Sequence, residues 1–260
     1  MRVQNLMNRK YPSLYSDELA TKARAILRNR ELRVLPVVDK HKHFIGMISR
    51  SDIMAITSSV SPIRAKGIMS MPRFIAAEEM DVIQVAREMI RSDEWYAPIV
   101  KSSQDYTYLG MLGLENLIDL FLKKGFAKLA KPLSEIMSTE PVTCSPDDDV
   151  DNVWRLMQEH SFAGLPVVKK GKLVGIVTQK NLLDSRVVFP MFEAKKGRFK
   201  APSKISSVMR TSVISLKPAS LVKEAAELML EKNIGRVPII DGKGKLIGVV
   251  DREDIVKALL

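Results

Sequence analysis

Apolar residues along this chain change their spacing in a fixed order, and the order recurs four times. Each recurrence first places apolar residues three and four positions apart, as in SLVKEAAELMLEKN, which is the spacing of one helix face. A short β-branched run with a proline follows (VLPVVD, YAPIV, LPVVK and VPIID) and predicts a strand with the proline at its start or at an edge. A polar turn, a second apolar strand and a closing helix complete the unit. The pattern predicts a helix–strand–turn–strand–helix unit of about 55 residues.

The second strand of each unit ends in a related octapeptide. GMISRSDI begins at Gly46 and GVVDREDI at Gly248, while two less similar versions, GMLGLENL and GIVTQKNL, begin at Gly110 and Gly175. Each unit also opens with a short element that contains methionine, namely NLM, GIM, EIM and SVM. Four copies at nearly regular spacing predict an internal repeat. The expected domains are residues 1–58, 62–124, 131–186 and 203–260, called copies 1 to 4 below.

A unit of this size is too small to bury its apolar faces alone, because small domains leave much of their surface exposed. Tandem copies supply the missing partner, so we expect copy 1 to pair with copy 2, and copy 3 with copy 4. The stretch 184–204 is the longest irregular connection. We expect it to wrap between copies 3 and 4 without forming a domain of its own.

The composition limits the class of protein. Hydrophobic residues make up 46% of the 260 residues, which is ordinary for a globular protein with a buried core, and no apolar run is long enough for a membrane span. The N-terminal residues lack the pattern of a secretory signal, and a single cysteine, Cys144, excludes an intrachain disulfide. These observations predict a cytoplasmic protein with no membrane association.

The net charge of +11 favours anionic partners such as nucleotides, nucleic acids or acidic protein surfaces. Part of this charge lies in connecting segments, at Lys123, Lys124, Lys128, Lys131, Lys195, Lys196, Arg198, Lys200 and Lys204. The sequence leaves open whether these residues form solvated faces or a binding stripe.

The order of opening methionine, helix, LPVVD, turn and GxxSxxD resembles the CBS domain, and the resemblance covers nearly the whole chain. Four copies in one chain are similar to two tandem Bateman modules, the arrangement of the γ subunit of AMP-activated protein kinase. This resemblance implies an α+β fold of four CBS repeats, each β-α-β-β-α, paired into two Bateman modules that form a pseudo-symmetric disc.

The octapeptide has two readings. Ser49 and Asp52 form an S-x-x-D pattern that caps a helix, and Asp, Asn, Ser and Thr all cap helices well. Three features nevertheless occur together only in copies 1 and 4: a motif carboxylate, an arginine directly after the fourth motif residue (Arg50 and Arg252), and an arginine before the strand proline. Capping does not explain this association, whereas a site for an anion with vicinal hydroxyls does. A carboxylate accepts hydrogen bonds from ribose hydroxyls and a guanidinium donates to phosphate.

The family resemblance implies the role of each residue. The motif Asp would hold ribose, the preceding Ser would support ribose or phosphate, and the pre-proline arginines would reach phosphate, while adenine would lie between the opening strand and pre-proline segment of the partner copy. Ribose and phosphate contacts are therefore expected from Ser49, Arg50, Asp52, Arg33, Asp254, Arg252, Arg236 and Asp251. Adenine contacts are expected from Gly67, Ile68, Met69, Trp95, Ile136, Met137, Ser138, Phe162 and Ala163. Asn116 and Asn181 are expected mainly to cap helices.

Copy 4 departs from the pattern at the Ser position. Asp251 places a second carboxylate beside the expected phosphate route. Three consequences stay open: it repels a polyphosphate, it favours a monophosphate or an uncharged nucleoside, or it pairs with Arg252.

The sequence contains no nucleophile–base pair and predicts no metal site. We therefore expect a non-enzymatic regulatory protein that requires no cofactor, takes an adenine nucleotide (AMP, ADP or ATP) as its regulatory ligand, and signals to an effector protein. Three alternatives remain: a binder of S-adenosylmethionine or a related adenosyl ligand, a nucleic-acid-binding protein that uses its basic surface, and a ligand-free interaction scaffold. We expect nucleic acid to bind only weakly. The sequence leaves open which nucleotide binds, what the effector is, and whether the discs form a homodimer.

Overall fold

The computed structural model describes residues 1–54, 61–185 and 203–260, and each copy in it has the same order of elements. The expected connection at 184–204 lies almost wholly outside the described residues, as do four of the lysines and arginines assigned to it. Within these ranges, none of the helices has both the length and the hydropathy that crossing a bilayer requires.

Each copy has one helix before its two long strands and one that begins within the octapeptide. The helices are α1 Ala20–Asn29, α2 Arg50–Met54, α3 Val82–Arg91, α4 Leu114–Lys124, α5 Val150–Glu159, α6 Gln179–Ser185, α7 Val222–Glu231 and α8 Arg252–Leu259. The first helix of each copy buries the face that the spacing predicts, as at Val222, Ala225 and Met229 in α7.

The strands form one small sheet in each copy. The strands are β1 Leu14–Tyr15, β2 Val34–Val38, β3 Phe44–Ser49, β4 Ala76–Ala77, β5 Tyr96–Val100, β6 Tyr108–Gly113, β7 Gly164–Lys169, β8 Lys172–Thr178, β9 Arg236–Ile240 and β10 Leu246–Asp251. The two long strands of each copy are antiparallel. In copies 1 and 2 a two-residue strand pairs in parallel with the first long strand. In copy 3 a single parallel bridge at Cys144 takes the place of this short strand, and in copy 4 a bridge at Leu216 does so. The predicted β-α-β-β-α unit is confirmed.

The opening segments differ from the strands implied by the resemblance. Each contains a short 3-10 turn, at Val3–Asn5, Ala65–Gly67, Leu133–Glu135 and Ile205–Ser207. The residue after each methionine then makes one antiparallel bridge to the paired copy, as Ser70 does to Met47 and Ser138 to Val249. These bridges join copy 1 to copy 2 and copy 3 to copy 4, which confirms the two predicted modules.

The modules pack against each other through their helices. Helix α4 of copy 2 contacts α7 and α8 of copy 4, while α1 and α2 of copy 1 contact α6 of copy 3. One hydrophobic core therefore joins copies 2 and 4, around Phe121 and Met229, and a second joins copies 1 and 3, around Leu27 and Met157. Each such side chain contributes about 1.5–3 kcal/mol by its burial. The copies follow one another around the disc in the order 1, 2, 4, 3.

Candidate functional site

The four octapeptides turn from strand to helix with the same hydrogen bond. The side chain at the seventh motif position accepts a hydrogen bond from the backbone N–H of the fourth. The four N–O distances are 2.6 Å from Ser49 to Asp52, 2.8 Å from Gly113 to Asn116, 3.1 Å from Thr178 to Asn181 and 2.9 Å from Asp251 to Asp254. Aspartate and asparagine therefore cap their helices alike, each with one oxygen atom. The capping reading of the motif holds in all four copies.

The motif glycine is the place where the paired copy approaches. A β-carbon at Gly46 would lie 3.1 Å from Sδ of Met69, and one at Gly248 would lie 2.9 Å from Sδ of Met137. The structure thus brings the opening segment of copy 2 to the motif of copy 1, and that of copy 3 to the motif of copy 4. The expected adenine-side segments 67–69 and 136–138 lie beside the motifs to which we assigned them.

In each module, an arginine from the Asp-bearing copy lies over an aromatic ring of the other copy. Cζ of Arg33 is 5.0 Å from the ring centroid of Trp95, and Cζ of Arg236 is 5.4 Å from that of Phe162. Such cation–π contacts contribute about 0.5–2 kcal/mol, depending on their exposure to solvent. Trp95 also donates from Nε1 to Oε2 of Glu253, at 3.3 Å. Copies 1 and 2, and copies 4 and 3, therefore share a cationic and aromatic wall.

Arg33 and Arg236 are not equivalent in register, although both precede the strand proline, because Arg33 stands three positions before Pro36 and Arg236 two before Pro238. In each copy, the backbone N–H at the fifth motif position donates to the carbonyl of a residue just before or at the start of the first long strand. The donor–acceptor pairs are Arg50–Arg33, Leu114–Trp95, Gln179–Ala163 and Arg252–Gly235. Arg33 therefore corresponds to Gly235, and the guanidinium of Arg33 occupies the space where a β-carbon on Gly235 would stand. Arg236 lies one position later, where it donates to the carbonyl of Gly164. A shift of one residue turns a strand side chain to the other face.

The two motif arginines bond to protein groups. Arg50 donates to the carbonyls of Leu32 and Glu31, at 2.8 and 2.7 Å, and its burial, followed by repulsion from Arg33, lowers its pKa to about 10. Arg252 is 1% exposed and pairs with Glu115 of the other module at 2.8 Å. Burying such a pair requires this close geometry to offset desolvation. Both guanidinium groups thus have a structural use that accounts for their occurrence in the motif.

Copy 4 holds two carboxylates at one helix start. Asp251 and Asp254 cap each other's backbone N–H groups, and Arg236 lies 3.8 Å from Asp251. The expected partner Arg252 bonds elsewhere, because its guanidinium reaches across to Glu115. Burial, followed by the charge of Asp251, raises the pKa of Asp254 to about 7.

A cavity of about 650 Å³ lies where all four copies meet. Its charged lining consists of Arg30, Glu31, Arg33, Arg50, Glu115, Lys180, Arg210, Lys232 and Arg236. Three of the predicted ribose and phosphate residues, Arg33, Arg50 and Arg236, line it, whereas the described lining includes neither Asp52 nor Asp254. Arg210 was not among the residues predicted from the sequence. Its position could have indicated it, because Arg210 follows the opening Met209 at a place where copies 1, 2 and 3 have the uncharged Asn8, Ser70 and Ser138.

Comparison with known proteins gives the family. The sequence model of the CBS domain matches residues 3–58, 133–187 and 205–260. The chain is 31% identical over 155 residues to the uncharacterized protein MJ1426 of Methanocaldococcus jannaschii, covering 49% of this chain and 90% of that one. It is 24% identical over 267 residues to the uncharacterized protein MJ1225 of the same organism, covering 96% of this chain and 95% of that one.

The crystal structure of MJ1225, which is described as a candidate archaeal homologue of g-AMPK, has the same fold as this chain. The two structures superpose with a TM-score of 0.88 and 20% sequence identity, covering 100% of both chains. Copy 2 lies outside the three matched ranges, but its sheet, helices and capping bond are those of the other copies. With three matched repeats and a fourth of the same architecture, the chain belongs to the CBS domain family.

Proposed function

We propose that this chain is a regulatory protein that binds an adenine nucleotide in the clefts between paired copies and signals its occupancy to a partner protein. One observation carries the proposal: in both modules an Asp-bearing copy faces the opening segment of its partner and places an arginine on the partner's aromatic ring. A carboxylate, a guanidinium and a ring face match the ribose, the phosphate and the base of a nucleotide.

The cap at Asp52 uses one of its two carboxylate oxygens. Oδ2 accepts from the backbone N–H and from Oγ of Ser49, both at 2.6 Å. Among the described residues, Oδ1 of Asp52 has no hydrogen-bond donor. That oxygen is the one we assign to the ribose hydroxyls.

The substitution Asp52→Asn separates ribose binding from capping, because Asn116 and Asn181 already form the same cap. We expect titration calorimetry to show that Asp52→Asn weakens AMP binding about ten- to a hundredfold, or about 1.4–2.8 kcal/mol. The free energy of unfolding should stay close to that of the wild type.

The matched control is Asn116→Ala. It should cost on the order of 1 kcal/mol of stability through the lost cap, while AMP affinity stays unchanged. If AMP, ADP and ATP all fail to bind the wild type at millimolar concentration, the ligand-free scaffold is the better account.

The copy 4 cleft favours a second candidate ligand class. Arg236 is held there by Asp251 and by the carbonyl of Gly164, and a second carboxylate lies next to Asp254. Added negative charge disfavours a phosphate chain and favours an adenosyl ligand that carries none, such as S-adenosylmethionine. Titration calorimetry with S-adenosylmethionine tests this assignment. The ligand should still bind to Asp52→Asn, in which copy 4 keeps both carboxylates, and should no longer bind to Asp254→Asn.

A further inference from the structure

The hairpin tips of copies 3 and 4 meet at one edge of their module and join into one small sheet. Leu246 donates its backbone N–H to the carbonyl of Gly171 at 3.2 Å, and Lys172 and Lys245 form an antiparallel bridge. The hairpin of β7 and β8 is therefore continuous, across this edge, with the hairpin of β9 and β10.

Three lysines form a row across the joined sheet, called the lysine row below. Lys169 is opposite Lys172 in the register of β7 and β8, and Lys172 is opposite Lys245 in the bridge. Directly opposed residues of antiparallel strands lie on the same face, with β-carbons about 5 Å apart. All three lysines are exposed. The row therefore presents three cationic side chains in succession on one surface.

The positive charge of this edge is not balanced by ion pairs. Three further exposed lysines lie on or beside the same tips, at Lys170, Lys217 and Lys243. In the described part of the chain, no carboxylate lies within ion-pair distance of any of these six lysines. The acid of the copy 4 tip, Asp241, accepts instead from the backbone N–H groups of Lys243 and Lys245, at 2.8 and 2.9 Å.

The corresponding edge of the module of copies 1 and 2 has its charges paired. Its bridge joins His43 to Thr107 where the other module has two lysines. His43 lies 3.1 Å from Asp39, and Lys101 pairs with Asp105 at 3.0 Å. Like charges directly opposite each other destabilise a sheet, and this second edge forms without them. The fold therefore does not account for the lysine row.

We infer that the lysine row is a docking surface for an acidic helix of a partner protein. Side chains three and four positions apart on a helix have β-carbons about 5–6 Å apart, which is close to the spacing along the row. A helix with Asp or Glu at positions i, i+4 and i+7 would place one carboxylate at each lysine. The surface is argued apart from the nucleotide clefts, and only its use in signalling rests on the proposed function.

The composition of the two hairpins favours a polypeptide over nucleic acid. Neither 164–178 nor 237–251 contains an aromatic residue or an arginine. Aromatic side chains stack on the bases of single strands, and arginine is the commonest reader of guanine in a duplex. Duplex DNA held through its phosphates alone and an anionic lipid surface are the other occupants that lysines suit, and the test includes both.

The test is fluorescence anisotropy on the full chain with two labelled synthetic peptides, at low and at physiological salt. One is an alanine-rich helix with glutamates along a single face, and the other has the same composition with its glutamates spread around the helix. Duplex DNA of random sequence is titrated in the same way, and phosphatidylserine vesicles are tested by sedimentation.

The variant removes the row, and its matched control removes the same charge from the hairpin tips of copies 1 and 2. All six side chains are exposed, so glutamine should leave the fold intact, and thermal unfolding verifies this. The variant is Lys169→Gln/Lys172→Gln/Lys245→Gln, and the control is Lys40→Gln/Lys42→Gln/Lys101→Gln.

We expect the variant to bind the one-faced peptide about tenfold more weakly than the wild type, and the control to stay within about twofold, because each exposed ion pair adds a small term and three are lost together. The one-faced peptide should bind more tightly than the dispersed one, since only it can reach three lysines at once. Affinity should fall as salt rises, because salt screens exposed charges.

Four results would overturn the inference. The wild type fails to bind the one-faced peptide, the variant and the control bind it alike, the two peptides bind alike, or DNA or vesicles bind more tightly than the peptide and lose that binding in the variant. The variant Asp52→Asn separates this surface from the proposed clefts. It should weaken AMP binding and leave peptide binding unchanged, so either proposal can fail without the other.

Discussion

At the scale of single residues, the two carboxylates of copy 4 are the most unusual groups in the motif. Copy 1 places a hydroxyl, Ser49, beside its motif aspartate, whereas copy 4 places Asp251 beside Asp254. The charges around this pair are Arg236 on β9, Glu253 and Lys257 on α8, and Arg33 from copy 1. Arg236 is close enough to compensate one carboxylate but not both. Two like charges in a buried site favour a retained proton.

This arrangement predicts a pH-dependent stability. The pKa of Asp254 in the folded chain, about 7, lies above its ordinary value of 3.8, so the folded state holds a proton that the unfolded state has lost between these values. The free energy of unfolding should therefore fall as pH rises from about 4 to about 7, and then level off. Urea unfolding between pH 5 and pH 8.5 measures the fall.

Asp254→Asn should flatten the pH profile, because an amide keeps the cap oxygen and cannot ionise. Asp251→Ser restores the arrangement of copy 1 and should shift the fall to lower pH. A wild-type slope in Asp254→Asn would show that another group titrates.

At the scale of elements, each module is held together by its opening segments. At Gly46, Gly175 and Gly248 a methionine of the paired copy packs on the motif glycine, and the following residue bridges to the strand. Glycine is required at these places because the neighbouring chain comes too close for a side chain, as at Gly248, where a β-carbon would lie 2.8 Å from the carbonyl oxygen of Ser138. The glycine that opens the octapeptide is thus a packing residue.

Gly248→Ala should destabilise the chain by about 1–3 kcal/mol, the usual cost of inserting a methyl group into a packed contact. The matched control is Gly242→Ala, since a β-carbon there meets nothing within 4 Å. That control should stay within about 1 kcal/mol of the wild type. Guanidinium unfolding of the two variants decides the point, and equal stability would show that the opening segment can move aside.

The sequence predicts these elements well, because helices, hairpins and caps depend on residues a few positions apart. The one-residue difference between Arg33 and Arg236 is also present in the sequence, since Arg33 stands three positions before Pro36 and Arg236 two before Pro238. The sequence cannot give the partners of Arg50 and Arg252, or the cavity at Arg210. Those contacts depend on how distant copies meet.

At the scale of the whole molecule, the ends of the motif helices join the two modules. Between copies 1 and 3, Gln179 donates to Ser51 at 3.1 Å and Lys180 pairs with Glu31. Between copies 2 and 4, Arg252 pairs with Glu115. The polar positions of the octapeptide therefore serve the interface between modules, and the central cavity lies beside them.

Arg252→Ala should cost about 3–5 kcal/mol, because Glu115 would remain partly buried without its cation. The control at the other end of the interface is Lys180→Ala, which breaks a more exposed pair and should cost about 1 kcal/mol or less. Denaturant unfolding measures both variants. A loss of nucleotide binding in Arg252→Ala with unchanged stability would instead support the ligand role expected from the sequence.

The one-sided ion pair between copies 2 and 4 bears on the ancestry of the chain. Copy 1 meets copy 3 and copy 2 meets copy 4, so each copy of the first half contacts the copy at the same place in the second half. This is the geometry of a symmetric homodimer in which two identical subunits are joined into one chain. A homodimer repeats every contact twice, but the position that matches Arg252 in the first half is Leu114. Two copies of the first half would set Leu114 against Glu115 on both sides and leave both carboxylates without a cation. At this contact, the first half of the chain is therefore better matched by the second half than by a second copy of itself.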